Sequence, residues 1–173
     1  VSSQSLRPDE VIVYDDGSTD QSVEVLKRWS MAVTVIKAPN FGHHPSVNQA
    51  NAINQAFFRS CGDIIFLLDS DDAFLPNKVA RVVEEFARRP DVLMVQHPFN
   101  EIDGRGCRTG VTRPRLKKVD PLPYMLRTHN ILGLFSQTSG LAFQRTFLEE
   151  VLPLRPDEFE TVWPDVRLSR QAI

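Results

Sequence analysis

Three carboxylates stand within four positions directly after a short apolar run. Residues 64–68 read Ile-Ile-Phe-Leu-Leu, and Asp69, Asp71 and Asp72 follow them. A run of this kind is typical of a strand buried on both faces, as in a parallel sheet covered by helices. Carboxylates so close together repel one another unless a cation lies between them. The pattern therefore indicates a site for a divalent cation that carries a phosphorylated ligand.

A second acidic turn, residues 15–18 (Asp-Asp-Gly-Ser), follows the β-branched and aromatic segment 11–14. If both strands are parallel, both turns lie at the carboxyl edge of one sheet, where open α/β folds bind ligands. Adjacent carboxylates point in different directions, so one can bind a ligand while the other caps the next helix. Ser18 and Gln21 have the spacing of a capping box for that helix. Taken alone, this turn also fits a purely structural strand end and helix cap.

The two acidic turns lie in a regular alternation of strands and helices. Strands are predicted at 11–14, 33–36, 64–68, 92–96 and 141–143. Helices are predicted at 19–29, with Trp29 on its apolar face, and at 47–60, 76–88, 147–151 and from 165 onward. Residues 103–106 have the composition of a hairpin turn, whereas 112–135 give no clear assignment. The alternation predicts an α/β fold with a doubly wound, mainly parallel sheet and helices on both faces.

The composition fits one globular domain over residues 1–173 and excludes several kinds of partner. Hydrophobic residues make up 42% of the chain and charged residues 24%, which is ordinary for a soluble domain. A net charge of −2 gives no electrostatic reason to expect nucleic acid or an anionic membrane surface as a partner. Residues 128–144 contain no Asp, Glu, Lys or Arg but are too polar for a membrane span.

The cysteines indicate the cellular compartment of the protein, and the chain ends indicate whether the domain is complete. Cys61 and Cys107 are too few and too far apart for a disulfide framework or a zinc site, so we expect a reducing compartment. We expect the protein to lie in the cytoplasm, either free or at the inner face of the membrane. The chain begins at Val1 and stops at Ile173 inside a predicted helix. We therefore expect a domain truncated at both ends.

Several segments together carry a family resemblance. They are VIVYDDGSTD at 11–20, Asn54, GDIIFLLDSDD at 62–72, TSGLAF at 138–143 and WPDVRL at 163–168. In this order they resemble family 2 glycosyltransferases of the GT-A fold, over nearly the whole chain. The resemblance implies inverting transfer of a sugar from a nucleoside-diphosphate donor, aided by Mg²⁺ or Mn²⁺. The acceptor it implies is a saccharide, a lipid-linked compound or another hydroxyl compound. It also implies a first strand before Val1, and elements that close the acceptor site after Ile173.

The resemblance also implies roles for the residues of the acidic turns. Asp16, with Asp15 nearby, matches the residue that recognises the nucleotide base. Asp69 and Asp71 match the pair of aspartates that contacts the ribose and the metal–diphosphate group. We expect Asp71 to be the direct metal ligand, with Asp69 beside it.

The remaining positions implied by the resemblance lie later in the chain. Asp165 matches the general base, although Pro164 stands where the family has an acid, and Glu160 is the next candidate. Asn54 matches a position near the donor. The pair Ser139-Gly140 is expected to form the floor of the acceptor site.

A few further side chains have both a functional and a structural interpretation. These are His43 and His44 in a polar loop, His97 after a strand, Trp163 before the candidate base, and the basic cluster Arg113, Arg115, Lys117 and Lys118. The histidines and Trp163 could contact the donor, the metal or a sugar, and equally could be solvated or packed. The basic cluster could contact phosphate or an anionic acceptor, whereas most charge runs are solvated surfaces.

Two other functions compete with the transferase interpretation. Phosphatases of the haloacid-dehalogenase type also place Asp-x-Asp after a parallel strand. Their chemistry needs a hydroxyl residue two positions beyond the second aspartate, where this chain has Ala73. A non-catalytic module that binds a nucleotide-sugar, or a partner protein, is the alternative from another class. Nucleotide binding without turnover would identify such a module.

Overall fold

The structure is a computed structural model that describes residues 1–28, 33–40, 42, 44–155 and 162–173. Trp29, His43 and Glu160, for which roles were predicted above, lie outside these residues. The strands are β1 (Val11–Asp15), β2 (Val33–Lys37), β3 (Ile64–Phe66), β4 (Met94–Gln96), β5 (Phe99–Ile102), β6 (Arg108–Arg113) and β7 (Leu141–Gln144). The helices are α1 (Ser22–Lys27), α2 (Pro45–Phe57), α3 (Lys78–Arg88), α4 (Pro121–Thr128), α5 (Arg145–Val151) and α6 (Pro164–Gln171). One 3₁₀ turn, Thr138–Gly140, leads into β7.

The strand pairing confirms the α/β class but adds an antiparallel strand. β1 and β2 pair in parallel. β7 lies between β3 and β4 and runs antiparallel to both, so β3 and β4 run in the same direction. β5 and β6 form a separate hairpin around the predicted turn at 103–106. Periodicity predicted β7 as a strand but could not give its direction, which depends on the path of the chain between β6 and the 3₁₀ turn.

The core forms on both faces of β7. Leu141 and Phe143, both 0% exposed, pack with residues of α2, α5 and α6. Ala142, on the opposite face, packs with Val82 and Phe86 of α3. Side chains alternate between the two faces of a strand, so this central strand connects two helix layers. The predicted arrangement of helices on both faces is therefore confirmed.

Two local predictions need correction. The capping box at Ser18 is wrong, because α1 begins only at Ser22 and the carboxylate of Asp20 accepts from the Ser22 amide at 2.9 Å. The segment 112–135 was left without assignment, and it contains α4, which starts with Pro at its first turn and Asp120 as its cap. No helix in the described part of the chain is long and apolar enough to cross a bilayer.

Candidate functional site

The first acidic turn divides its two carboxylates between different tasks. Asp15 Oδ1 accepts a hydrogen bond from the Ser18 amide at 3.0 Å and thereby closes the turn. The side-chain hydroxyl and the amide of Ser18 hold the pKa of Asp15 below its usual value. Gly17 has a φ of +86°, a conformation that glycine adopts without strain. Asp15 is therefore committed to the turn, which leaves Asp16 as the carboxylate that is available to a ligand.

Asp16 lies in a small polar network in which one of its two carboxylate oxygens has no hydrogen-bond partner among the described residues. Its Oδ2 accepts from Asn40 Nδ2 at 2.8 Å. Asn40 Oδ1 in turn accepts from Asn48 Nδ2 at 3.1 Å, and Asn48 Oδ1 accepts from the Gly42 amide at 2.6 Å. Asp16 Oδ1 is buried and has no hydrogen-bond partner among the described residues. A buried carboxylate oxygen without a donor is unfavourable, so this atom is suited to an N–H group of a ligand.

The second acidic turn is held by side chains from α2 and the 3₁₀ turn. Asp69 Oδ1 accepts from Gln49 Nε2 at 3.0 Å, and the Asp69 amide donates to Ser139 Oγ at 2.9 Å. Burial raises the pKa of Asp69, and repulsion from Asp72, Asp71 and Asp165 raises it further, against the hydrogen bond from Gln49. Asp72, Asp71 and Asp165 therefore lie near enough to Asp69 to repel its negative charge.

Asp165 joins the same cluster from the start of α6. Its side chain is 8% exposed, and its Oδ1 accepts from the Val166 amide at 2.7 Å. Burial raises the pKa of Asp165, whereas hydrogen bonds from the amides of Val166 and Thr138 act in the opposite direction. Thr138 Oγ1 also accepts from Gln49 Nε2 at 3.1 Å. One short network therefore connects the candidate base to Asp69.

Two consecutive residues of α2 connect the acidic turns. Asn48 reaches Asp16 through Asn40, and Gln49 donates directly to Asp69. α2 also packs on β1, where Asn51 Nδ2 donates to the Tyr14 hydroxyl at 2.7 Å. The structure thus connects the turn at 15–18 and the turn at 69–72 through the first half of α2, although β1 and β3 belong to different sheets. Nothing in the sequence pattern singled out Asn40, Asn48 and Gln49, because polar residues in a loop or on a helix surface are common.

Trp163 and His44 stand beside the candidate base. Trp163 is the residue before α6, is 47% exposed, and has its ring centroid 6.4 Å from that of His44. His44 caps α2 through Nδ1, which accepts from the Ser46 amide at 3.3 Å. An exposed aromatic ring two positions before a buried carboxylate is suited to contact with a sugar. The location next to the donor that was considered for His44 stays a prediction.

Ser139 and Gly140 of the 3₁₀ turn lie next to the second acidic turn and support its backbone. Ser139 accepts from the Asp69 amide, so it fixes the backbone of the second acidic turn. A Cβ added to Gly140 would lie 2.6 Å from the His97 carbonyl oxygen and would overlap Ser136. Only glycine allows this close approach. Contact of Ser139 and Gly140 with an acceptor stays a prediction, whereas their support of Asp69 is direct.

Replacing Gly140 by Ala is expected to destabilise the protein by about 1–3 kcal/mol, because the new methyl group overlaps main chain that cannot move aside. Urea unfolding of the two proteins measures the difference. Gly104→Ala is the matched control, because a Cβ at Gly104 meets nothing within 4 Å. Equal stabilities of the Gly140 and Gly104 variants would contradict the close packing.

Asn54 and His97 are placed in structural roles. Asn54 Nδ2 donates to the Leu154 carbonyl oxygen at 3.0 Å, and Asn54 Oδ1 accepts from the Leu154 amide at 2.8 Å. Both polar atoms of Asn54 therefore hold the segment after α5, and we leave this residue out of the proposed donor site. The His97 amide donates to Gly140, and burial lowers the pKa of the His97 imidazole. Its contribution is to the packing around the 3₁₀ turn.

Lys78 is a residue that sequence reasoning missed. It begins α3 and is 7% exposed, its Nζ donates to the Ser139 carbonyl oxygen, and the same atom lies 3.6 Å from the centroid of the Phe74 ring. Burial lowers the pKa of Lys78 from 10.5 to about 7, and attraction to Asp72 offsets a part of this. Lysines at helix ends are mostly solvated, so only the tertiary structure identifies this one.

The stability of the protein is expected to rise with pH above 7 because of Lys78. Between pH 7 and the unfolded value of 10.5, the unfolded chain binds more protons at this residue than the folded chain. The increase at pH 9 is on the order of 2 kcal/mol, and it should be absent from Lys78→Met. Urea unfolding at both pH values tests this, with the exposed Lys27→Met as control. The same pH dependence in both variants would contradict the burial of the Lys78 amine.

The donor set of the second turn fits a hard divalent cation. Mg²⁺ is usually bound through one or two carboxylates together with substrate phosphates, not by a closed protein cage. No group of three or more His, Cys, Asp or Glu side chains in the described residues could hold a metal ion, so the phosphates of a donor would have to supply further ligands. The mutual repulsion that raises the pKa of Asp69 is what a bound cation would relieve. Asp71 and Asp69 are the residues that would hold it.

Comparison with protein families and curated proteins identifies relatives of this chain. Residues 1–152 match Glycosyl transferase family 2. An uncharacterized glycosyltransferase of Nostoc sp. is 33% identical over 159 residues, which cover 90% of this chain and 48% of the relative. The undecaprenyl-phosphate 4-deoxy-4-formamido-L-arabinose transferase of Pseudomonas aeruginosa is 36% identical over 89 residues, or 49% of this chain and 24% of the relative. The chain thus spans about half or less of the length of these relatives.

Comparison with solved structures gives the same fold at low sequence identity. TarS of S. aureus has a TM-score of 0.70 and 17% identity over 99% of this chain, and 29% of TarS is covered. A TarS fragment in complex with UDP has a TM-score of 0.64, also with 17% identity, and 46% of that fragment is covered. At this identity the likeness supports the GT-A fold and not a shared substrate.

Proposed function

The chain belongs to glycosyl transferase family 2, and we propose that the protein transfers a sugar from a nucleoside-diphosphate donor to a hydroxyl acceptor in a metal-dependent, inverting reaction. One observation carries this proposal: Asn48 and Gln49 of α2 connect Asp16, through Asn40, to Asp69. A donor that spans both acidic turns can therefore place its nucleoside at the first and its diphosphate at the second.

We assign the donor to three aspartates. The free Oδ1 of Asp16 accepts an N–H group of the base, and its other oxygen is fixed by Asn40. Asp69 contacts the ribose and is oriented by Gln49 and Ser139. Asp71, with Asp69 beside it, would hold Mg²⁺ or Mn²⁺. When bound, the cation stabilises the charge that develops on the diphosphate as it leaves.

The acceptor is activated by Asp165. An alcohol is a poor nucleophile, so a carboxylate within hydrogen-bond reach must remove its proton as it attacks. Asp165 is buried, and its two amide donors, Val166 and Thr138, hold it in one orientation. A single base on the acceptor side suits attack opposite the leaving diphosphate, which inverts the anomeric centre. The second carboxylate that a glycoside hydrolase needs is not required here.

The proposal also covers the chemical class of the acceptor and the cellular location of the reaction. The Pseudomonas relative is named for a lipid phosphate, undecaprenyl phosphate, and this supports a lipid-linked acceptor ahead of a free saccharide. A cytoplasmic reaction fits the two free and exposed cysteines, Cys61 and Cys107. UDP is the first nucleotide to test, because the TarS fragment is in complex with it.

The experiment that tests the proposal is a thermal-shift screen of nucleoside diphosphates and nucleotide-sugars with and without Mn²⁺. We expect stabilisation by one nucleotide class, and only with the metal, followed by turnover when an acceptor is added. Binding without turnover in the complete protein would favour the non-catalytic module. Release of phosphate from small phosphomonoesters would favour the haloacid-dehalogenase alternative, which the family match does not support.

A further inference from the structure

Positive charge is concentrated in one part of the chain. Residues 105–134 contain seven of the 20 Lys and Arg residues and a single acidic residue, Asp120, although the chain as a whole has a net charge of −2. This segment lies between β5 and the 3₁₀ turn and includes β6 and α4. Such an asymmetry gives this segment a local excess of positive charge in an otherwise acidic chain, although Arg113 is paired with Glu101 of β5.

The same part of the chain exposes large apolar side chains. No residue of α4 is buried. Six large apolar residues of the segment are exposed, and Leu126 and Leu132 are the most exposed of them at 70% and 74%; the other four are Val111, Val119, Leu122 and Ile131. Leu122 and Leu126 stand four positions apart and so lie on one side of the helix. We call residues 115–132 the α4 surface.

Hydrogen bonds hold the α4 surface together as a unit. The Lys117 side chain donates to the Tyr124 hydroxyl at 2.7 Å and to the Leu132 carbonyl oxygen at 2.8 Å. The Lys117 amide donates to Gly133 at 2.7 Å, so both ends of the segment are joined. The exposed apolar side chains therefore stand on a hydrogen-bonded backbone. Their exposure does not result from fraying of the helix.

From this combination we propose that the α4 surface docks onto an anionic lipid bilayer. Helices that lie at a membrane interface combine exposed Leu side chains with Lys and Arg at the polar boundary. Here Arg115, Lys118 and Arg127 are exposed around the apolar residues. Each basic residue near an anionic leaflet contributes attraction, and the apolar side chains enter the headgroup region. The acidic remainder of the chain is repelled by the same lipids, which fixes the orientation.

Docking in this way has a consequence for the acceptor. From Leu132 the chain continues directly through Ser136 to the 3₁₀ turn, whose Ser139 binds Asp69. Only a few residues of chain would then separate the docked surface from the transfer site. An acceptor attached to a lipid would be available there. This consequence rests on the proposed function, whereas the docking itself does not.

A fluorophore at position 126 tests the docking in the complete protein. Cys61 and Cys107 are first replaced by Ser, and Leu126→Cys is labelled with an environment-sensitive dye. The matched control is Phe58→Cys, a residue 62% exposed at the end of α2. Vesicles of phosphatidylcholine alone are compared with vesicles that contain about one third phosphatidylglycerol. The readout requires neither nucleotide nor turnover, so it stays informative if the transferase proposal fails.

We expect a blue shift at position 126 with anionic vesicles only, reversed by high salt, and none at position 58. Adding Lys118→Glu and Arg127→Glu should weaken the partitioning at least about tenfold. The absence of any shift at position 126 would overturn the proposal. A dye that is already shielded without vesicles would also overturn it, because another part of the protein would then cover the surface.

Discussion

Replacing Asp71 by Asn is expected to abolish the Mn²⁺ dependence of nucleotide binding. The amide has nearly the same shape as the carboxylate but lacks the charge that anchors a hard cation. With the metal present, UDP affinity should fall at least about tenfold, to the value measured without metal, because a cation held by one or two carboxylates loses its main protein ligand. Isothermal titration of UDP with and without Mn²⁺ measures this directly.

The neighbouring Asp72 supplies the matched control. Asp72→Asn removes the same charge from the same turn, and Asp72 also repels Asp69. We expect this variant to keep the Mn²⁺ effect, since Asp72 lies beyond the Asp-x-Asp pair. Should Asp71→Asn bind UDP as the unaltered protein does in Mn²⁺, the assignment of the ligand is wrong. Loss of the metal effect in both variants would mean that overall charge, and not one ligand, holds the cation.

The parts of the fold that were predictable are those with local signals. Apolar runs and turn residues located β1, β3 and the hairpin at 103–106 close to their observed positions. The acidic residues that follow β1 and β3 were then predicted to meet because parallel strands end on the same edge. The two turns do connect through Asn48 and Gln49 of α2, although β1 and β3 belong to different sheets.

The parts that were not predictable depend on contacts between distant segments. The direction of β7 is set by a long excursion of the chain and not by its own four residues. Lys78 reads as an ordinary surface lysine until α3 is placed against Ser139. Asn54 matched a family position near the donor, yet its amide holds Leu154, one hundred positions later in the sequence. Sequence spacing gives no information about such pairs.

The acidic turns also show how the tertiary structure separates similar residues. Asp15 and Asp16 are identical in type and adjacent in sequence. The hydrogen bonds from Ser18 commit Asp15 to the turn, whereas Asn40 fixes Asp16 with one oxygen free. The sequence predicted that two neighbouring carboxylates would differ in role, and the proposed ligand-binding role of Asp16 follows from the different partner that each finds.

Replacing Asp165 by Asn is expected to leave donor binding within about twofold and to lower the transfer rate by about 10²–10⁴-fold, the usual contribution of a general base. The amide retains one oxygen, which can accept from the Val166 amide as Oδ1 does, so the start of α6 should be preserved. It cannot accept the proton of the acceptor hydroxyl. UDP titration and a transfer assay on the same preparation separate the two effects.

The pH profile distinguishes a base from a residue that only supports the fold. Burial raises the pKa of Asp165 above its ordinary value of 3.8. The carboxylate is active when ionised, so transfer should rise with pH through that raised pKa and be lost as the pH falls below it. In Asp165→Asn, the residual transfer rate should no longer fall at low pH. In Asp165→Glu, part of the transfer rate should return, together with its fall at low pH. Unaltered transfer by Asp165→Asn would assign the base elsewhere, and a large loss in Glu160→Gln would then identify it.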